Sequence, residues 1–235
     1  MAALPRLNRR LAELQERLWA EQTRSLLIVL QAMDAGGKDG TIKHVFAGVN
    51  PQGTTVTSFK VPSEHERAHD FLWRVHKVVP GQGEIGIFNR SHYEDVLVVR
   101  VHGLVPAPTW RARYDHINGF EANLAAAGTR VVKLFLHISK GEQAERLQAR
   151  LDDPTKRWKF RTGDLAERDL WDDYQAAFAE AIERTSTEVA PWFVVPADRK
   201  WYRNWAVSQI VLDELVDLDP RYPAPGPELD NVVVE

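Results

Sequence analysis

The chain of 235 residues has no cysteine, which excludes disulfide bonds and metal sites built on thiolates. It has no apolar run long enough to cross a bilayer, no signal-peptide core, no internal repeat and no low-complexity segment. It also lacks an excess of charge, because 30 Lys and Arg stand against 33 Asp and Glu, for a formal net charge of −3. These absences disfavour a membrane protein and a uniformly basic nucleic-acid binder, and we expect a cytoplasmic protein.

Strand-like and helix-like segments alternate along the whole chain. This alternation predicts an α/β fold, with a parallel sheet covered by helices on both faces. The hydrophobic fraction of 44% is enough for one full core. We therefore expect a single domain over residues 1–235, with an amino-terminal helix over 5–20 and a loosely docked tail over 220–235. Five strands are predicted, near residues 26–30, 55–59, 85–88, 131–137 and 192–195.

A glycine-bearing turn and Lys38 lie between the first predicted strand and a helical pattern, within residues 26–41. This layout is typical of a phosphate-binding loop, because glycines let backbone N–H groups approach an anion while the helix N-terminus and the lysine add positive charge. The match is incomplete, since Ala32 occupies the first glycine position and Asp39 replaces the usual Ser or Thr. A glycine-rich turn that binds no phosphate is the alternative.

Two carboxylates, Asp34 and Asp39, flank Lys38. Acidic groups beside a phosphate site repel the ligand unless a divalent cation or a proton transfer is involved. We therefore predict that Asp34 holds Mg²⁺ or accepts a proton from an incoming phosphate. For Asp39 a role in binding the metal competes with a role as a cap of the following helix.

Further candidates follow the second and third predicted strands, because ligands of open α/β sheets bind beyond the strand C-termini. Lys60 is a candidate phosphate contact, with a solvated surface lysine as the alternative. Arg90 can hold phosphate through two hydrogen bonds, with a salt bridge to Glu94 or Asp95 as the alternative. Between them, a Ser-x-x-Glu capping signature predicts one helix over residues 63–78.

A run of cationic residues interrupts the alternation of strands and helices after the fourth predicted strand. Such a run is usually a solvated face. Kinases with a phosphate loop, however, carry a mobile lid at this place, and lid cations neutralise charge on the transferring phosphoryl group. We predict a helical lid over residues 150–170. Its cations are Arg150, Lys156, Arg157, Lys159 and Arg161.

Four segments, in this order, resemble the polyphosphate kinase 2 family. Residues 31–42 (QAMDAGGKDGTI) are similar to its Walker A segment, 85–98 to its Walker B segment, 153–160 to its lid and 190–195 to its last core strand. The resemblance implies a P-loop kinase fold. It also implies transfer of a phosphoryl group between inorganic polyphosphate and a nucleotide, with Mg²⁺ as cofactor and Mn²⁺ as an alternative.

The resemblance also completes the predicted site. Asn89 stands where most Walker B strands have a metal-binding Asp, and it resembles the subgroup that phosphorylates both nucleoside mono- and diphosphates. Glu94 resembles a position near the nucleotide. The predicted catalytic residues are Asp34, Lys38, Arg90 and Arg157. The predicted phosphate-binding residues are Gly36, Gly37, Lys38, Gly40, Thr41, Lys60, Arg150 and Lys156. Asn89 and Glu94 are the predicted nucleotide-binding residues, and Asp34 and Asp39 the metal ligands.

The substrates expected from the resemblance are inorganic polyphosphate and adenine nucleotides, with guanine nucleotides as a further class. We expect a homo-oligomer, a dimer or tetramer, with no nucleic-acid or membrane partner. Two alternatives stay open at this point. One is an ATP-dependent nucleotide or small-molecule kinase of the same architecture. The other is a non-catalytic protein that binds a polyanion through the cationic segment.

Overall fold

The computed structural model describes residues 3–227. Its strands are β1 Ser25–Gln31, β2 Thr54–Ser58, β3 Ile85–Asn89, β4 Thr129–His137 and β5 Trp192–Pro196. Its helices are α1 Ala3–Glu21, α2 Lys38–Val45, α3 Glu64–Arg67, α4 Trp73–His76, α5 Val98–Val101, α6 Ala107–Ala126, α7 Lys140–Asp152, α8 Gly163–Asp169, α9 Trp171–Thr185 and α10 Lys200–Leu218. Short 3₁₀ turns lie at Pro51–Gly53, His92–Asp95 and Arg157–Lys159.

The five strands form one parallel sheet in the order β2-β3-β1-β4-β5. The strand β1 is central, and all seven of its residues are buried. Parallel sheets are stable when helices cover both faces, and a continuous apolar strand such as β1 requires that cover. The prediction of five parallel strands within an α/β fold is therefore confirmed.

Two groups of helices pack against the sheet. The helix α10 contacts α1, α2, β4 and β5, whereas α6 contacts β4 and α9. In α1 the leucines at helical spacing are buried, so this helix packs on the core of its own chain. These leucines are Leu7, Leu11, Leu14 and Leu18. Among the described residues, no helix is both long and apolar enough to cross a membrane.

The prediction of one helix over residues 63–78 is wrong. The predicted capping box is present, with reciprocal hydrogen bonds between Ser63 and Glu66, but it begins a helix of only four residues, α3. The carboxylate of Asp70 then accepts a hydrogen bond from the N–H of Leu72 at 3.0 Å. This local bond replaces helical backbone pairing, and α4 begins afterwards as a separate turn.

Residues 220–226 of the predicted tail have no regular secondary structure. The N–H of Arg221 donates to the carboxylate of Glu21 at 2.9 Å, which ties the start of this segment to the end of α1. The rest of the predicted tail, residues 228–235, lies outside the described residues. Looseness of the tail stays a prediction.

Candidate active site

The chain leaves the C-terminal end of β1 through two left-handed residues. Ala35 has φ 61° and Gly37 has φ 99°. Gly37 caps α2, so the helix begins at Lys38, directly behind the loop. The hydroxyl of Thr41, one turn into α2, is buried and donates to the carbonyl of Gly37 at 3.1 Å. The loop is thus held against the positive end of a helix, the arrangement that binds phosphate.

Two further glycines, one in the loop and one in the first turn of α2, lie in crowded surroundings. A Cβ on Gly36 would lie 2.5 Å from the Cβ of Ala32 and 2.8 Å from the carbonyl oxygen of Met33. A Cβ on Gly40 would lie 3.3 Å from a guanidinium nitrogen of Arg203. Gly36 therefore allows a close approach of backbone that any larger residue would prevent.

The side chain of Lys38 lies back across the loop, where its Nζ donates to the carbonyl of Ala32 at 3.0 Å. Burial lowers the pKa of Lys38 to about 8, and the positive charge of Arg90 adds to this effect. The carboxylates of Asp34, Glu94 and Asp39 oppose it. A phosphate bound in the loop would add negative charge and favour the protonated amine.

Arg90 joins the loop to the segment after β3. One guanidinium nitrogen lies 2.7 Å from the carboxylate of Asp34, and another lies 3.2 Å from that of Glu94. These two carboxylates raise the pKa of Arg90. The alternative of a salt bridge to Glu94 is thus realised, whereas Asp95 pairs with Arg113 at 2.9 Å. The same salt bridges hold the guanidinium beside the phosphate loop.

Asn89 and Asp39 form a second link between β3 and the loop. The amide of Asn89 donates to Asp39 at 2.9 Å. The alternative prediction, that Asp39 caps the following helix, is wrong. Gly37 is the N-cap of α2, and no side chain caps that helix. Instead the Asp39 side chain is 71% exposed, so it is open to a ligand.

The described residues contain no group of three or more His, Cys, Asp or Glu that would enclose a metal ion. The donors at the loop are oxygen atoms of Asp34 and Asp39. Mg²⁺ is usually held by one or two carboxylates together with substrate phosphates and water. The donor set therefore fits Mg²⁺ bound jointly with phosphate, and it does not fit a closed protein cage.

The lid segment meets the loop through one cation. Lys159 Nζ lies 3.6 Å from a carboxylate oxygen of Asp39. The predicted catalytic Arg157 instead donates from Nε to the carbonyl of Leu151 at 2.6 Å, within the lid turn. The two predicted phosphate-binding cations pair within the segment, Lys156 with Asp153 and Arg150 with Asp164. Among the lid cations, the structure thus brings Lys159, which was not in the predicted site, into contact with a loop carboxylate.

Lys60 is exposed and lies two residues beyond β2. Its backbone is fixed, because Arg74 donates to the Lys60 carbonyl at 2.8 Å. Arg74 is buried, and its guanidinium also lies over the ring of Phe59. Lys60 therefore projects from an anchored segment at the same edge of the sheet as Arg90.

Sequence reasoning missed three residues that contact the loop from behind. Arg146 of α7 donates to the carbonyls of Ala35 at 3.0 Å and Gly36 at 3.2 Å. Gln143 donates to the carbonyl of Asp34 at 3.0 Å. Arg203 of α10 lies against Gly37. One signal was available for Arg203, since it shares a helical stripe with Val207 and Val211, which are both fully buried.

An open cavity of about 530 Å³ lies beyond the C-terminal ends of β4 and β5. It contains none of the predicted site residues. Arg146 links it to the loop by donating to the carbonyls of Ala197 at 2.6 Å and Asp198 at 3.0 Å. Its lining includes His137, Ser139, Asp198, Arg199, Trp201 and Tyr202.

The chain matches the family model described as Polyphosphate kinase 2 over residues 1–223. An AMP/ADP-polyphosphate phosphotransferase from Meiothermus ruber is 60% identical over 235 residues, which cover 100% of this chain and 88% of the relative. An ADP-polyphosphate phosphotransferase from Rhodopseudomonas palustris is 47% identical over 230 residues, covering 93% and 80%. The crystal structure of polyphosphate kinase 2 from Arthrobacter aurescens TC1 aligns with a TM-score of 0.93 and 51% identity, covering 98% of this chain and 81% of that one. The chain therefore belongs to the polyphosphate kinase 2 family.

Proposed function

We propose that this protein transfers a phosphoryl group between inorganic polyphosphate and both AMP and ADP. The observation that carries the proposal is the arrangement of charges around Lys38, where Arg90 joins Asp34 of the loop to Glu94. The family assignment supports polyphosphate as one substrate. The names of the two relatives support AMP and ADP as the others.

Phosphoryl transfer needs little covalent chemistry from the protein, so positioning and charge stabilisation account for most of the catalysis. In this proposal the loop N–H groups and Lys38 hold phosphates where polyphosphate and nucleotide meet. The planar guanidinium of Arg90 donates two hydrogen bonds to the transferring group, in place of its bonds to carboxylates. Lid cations, from Arg157 or from Lys159, stabilise the charge of the transition state. Lys60 holds the polymer beyond β2.

Phosphotransfer by kinases is generally metal-dependent. We propose Mg²⁺, with Mn²⁺ as an alternative, held by Asp34 and Asp39 together with substrate phosphates. The metal, when bound, would supply positive charge that offsets the negative charge of the substrate phosphates. Asp34 also orients or deprotonates the accepting phosphate, because it lies beside both Lys38 and Arg90.

The remaining expectations concern partners and surroundings. Guanine nucleotides as acceptors, a homo-oligomeric state and a cytoplasmic location stay predictions. The ATP-dependent kinase remains the main alternative function, because the same loop and lid would hold ATP phosphates.

The test is incubation of the protein with Mg²⁺, polyphosphate and either AMP or ADP, followed by separation of the nucleotides. We expect ADP from AMP and ATP from ADP, with no product when polyphosphate is left out. A control supplies ATP and AMP without polyphosphate. Phosphorylation in the control alone would establish the ATP-dependent kinase. Binding of polyphosphate without turnover in any mixture would establish a non-catalytic polyanion binder.

A further inference from the structure

Arg203 is a buried cation directly behind the phosphate loop. Its side chain comes from the second turn of α10, and only 3% of the residue is exposed. A Cβ built on Gly37 would lie 1.9 Å from its Nη1 and 2.9 Å from its Cζ. A Cβ on Gly40 would lie 3.3 Å from its Nη2. The guanidinium thus occupies space that the missing side chains of Gly37 in the loop and Gly40 in α2 leave open.

The charge of Arg203 is not neutralised by the protein around it. Its Nε and Nη2 donate to the side-chain oxygen of Asn204, a neutral group, at 3.1 Å and 2.8 Å. Within residues 3–227, no carboxylate lies within 4.0 Å of it, and Nη1 donates no hydrogen bond. Burial lowers the pKa of Arg203 to about 10, and the neighbouring cation of Arg146 adds to this effect.

A second guanidinium increases the charge at this position. Arg146 is buried under Ala35 and Gly36, and it pairs with one carboxylate, that of Glu142, at 2.8 Å. Two arginines and one carboxylate therefore lie on the protein side of the loop. A buried charge without a partner destabilises the folded protein, so such a residue is retained where another group compensates it.

We propose that Arg203 is a positioning residue of the phosphate site: its guanidinium, held behind Gly37 and Gly40, supplies positive charge that a phosphate bound in front of the loop neutralises. The residue acts through the loop and need not touch the substrate. The inference rests on the proposed function, because it requires the loop to bind a polyanion. It also gives Gly37 a second reason to be glycine, in addition to its positive φ.

The test compares Arg203→Met with Arg203→Lys. The matched control is Lys200→Met, which removes a charge from an exposed position of the same helix. Thermal unfolding is measured without ligand and with inorganic polyphosphate, and KM for polyphosphate is measured over a range of salt concentrations. We expect Arg203→Met to unfold at or above the wild-type Tm without ligand, because an unpaired buried charge is gone.

In the same variant we expect KM for polyphosphate to rise about 10-fold, the effect of one lost charge interaction. The dependence of this KM on salt concentration should weaken. Arg203→Lys should recover most of the affinity for polyphosphate. Lys200→Met should behave as wild type. A lower Tm without ligand together with an unchanged KM would overturn the proposal, since Arg203 would then serve packing alone. An equal rise of KM in Lys200→Met would also overturn it.

The thermal shift produced by polyphosphate needs no turnover. If the wild-type protein proved inactive towards AMP and ADP, the proposed function would fail. The increase in Tm that polyphosphate produces would still be compared between wild type and Arg203→Met, and the difference would decide whether the buried cation supports polyanion binding.

Discussion

Arg90 has a backbone conformation that residues other than glycine rarely adopt, with φ 62°. Such strain persists where the surroundings determine the conformation, and it is common at functional sites. Here the N–H of Arg90 donates to the carbonyl of Leu30 at 3.1 Å, and carboxylates hold the guanidinium on two sides. The strained turn places the side chain over the loop immediately after β3.

Replacement of Lys38 by Ala is predicted to abolish most of the activity and to leave the fold intact. The amine contacts one backbone carbonyl, and burial already disfavours its charge, so its loss removes little from the free energy of unfolding. The lost cation normally faces phosphate charge, and we expect kcat/KM to fall by at least about 10²-fold. The measurement is turnover with polyphosphate and ADP, together with Tm.

The matched control is Lys43→Ala, an exposed lysine of the same helix, which should retain wild-type turnover. Turnover near the wild-type value in Lys38→Ala would rule out a phosphate-binding role for the loop lysine.

Asn89→Asp is predicted to narrow the acceptor range towards diphosphates. The amide of Asn89 donates a hydrogen bond to the carboxylate of Asp39. An Asp at position 89 would place a second carboxylate next to that of Asp39. Two adjacent carboxylates bind a divalent cation more firmly, which fixes the metal and disfavours a second phosphate-chain length. The measurement is the ratio of kcat/KM with AMP to that with ADP, which should fall about 10-fold or more.

The exchange variant Asn89→Asp/Asp39→Asn is the control, because it restores one amide and one carboxylate at the pair. We expect it to recover part of the activity with AMP. An unchanged AMP-to-ADP ratio in Asn89→Asp would contradict the metal argument.

Asp95 is predicted to make stability depend on pH. Burial raises its pKa from 3.8 to about 6, against the opposing charges of Arg113 and Arg74 and with a small contribution from Glu94. A carboxyl whose folded pKa is raised stabilises the fold fully below its unfolded pKa, and this stabilisation is lost as pH rises through the folded pKa. Between about pH 4 and pH 6.5, wild type should lose up to about 3 kcal/mol relative to Asp95→Asn.

The measurement is denaturant unfolding of both proteins over this pH range. The exposed Asp115 offers the matched control Asp115→Asn, which removes a carboxylate from the surface of α6. A constant difference for Asp95→Asn as well would show that the ion pair with Arg113 keeps Asp95 ionised throughout.

At the scale of elements, the lid segment combines a 3₁₀ turn at Arg157–Lys159 with the short helix α8. Arg157→Ala is predicted to lower kcat by about 10³-fold while changing nucleotide affinity much less, because a lid cation acts mainly on transition-state charge. The exposed Arg9 of α1 provides the control Arg9→Ala.

Lys159→Ala is measured beside it, since Lys159 is the lid cation that contacts Asp39. A large loss in Lys159→Ala with normal kcat in Arg157→Ala would contradict the role of Arg157. If both variants changed Tm and left kcat unchanged, the segment would be a solvated surface without a role in catalysis.

Sequence patterns failed to predict contacts between distant residues, even within elements that they predicted correctly. The sequence of β4 predicts an apolar strand. However, Lys133 lies at its centre, is fully buried and pairs with Glu121 of α6. Lys133 also donates to Tyr93 at 2.9 Å, and Tyr93 donates to Thr185 of α9 at 3.0 Å. This network anchors the turn that follows Arg90, and no local pattern indicates it.

At the scale of the whole molecule, the chain's alternation of apolar strands and amphipathic helices was sufficient to predict the five-stranded parallel sheet. Predicted strands agree with observed ones to within two residues at each end. The reason is that a strand of a parallel sheet is buried on both faces. Such a strand therefore consists of a continuous run of apolar residues, which can be recognised in the sequence. Four ordered segments then identified the family, which the match over residues 1–223 confirms.

The sequence by itself determined the strands, the phosphate loop and the two carboxylates, Asp34 and Asp39, that flank Lys38, because these depend on residues close together in the chain. Only the tertiary structure decided which distant groups meet the loop. Arg90 reaches Asp34 across 56 positions, and Arg146 reaches Ala35 across 111. Arg203 comes to Gly37 from the last helix. Such contacts follow from how helices pack on the sheet, and packing depends on shape and charge summed over the whole core, which no local pattern records.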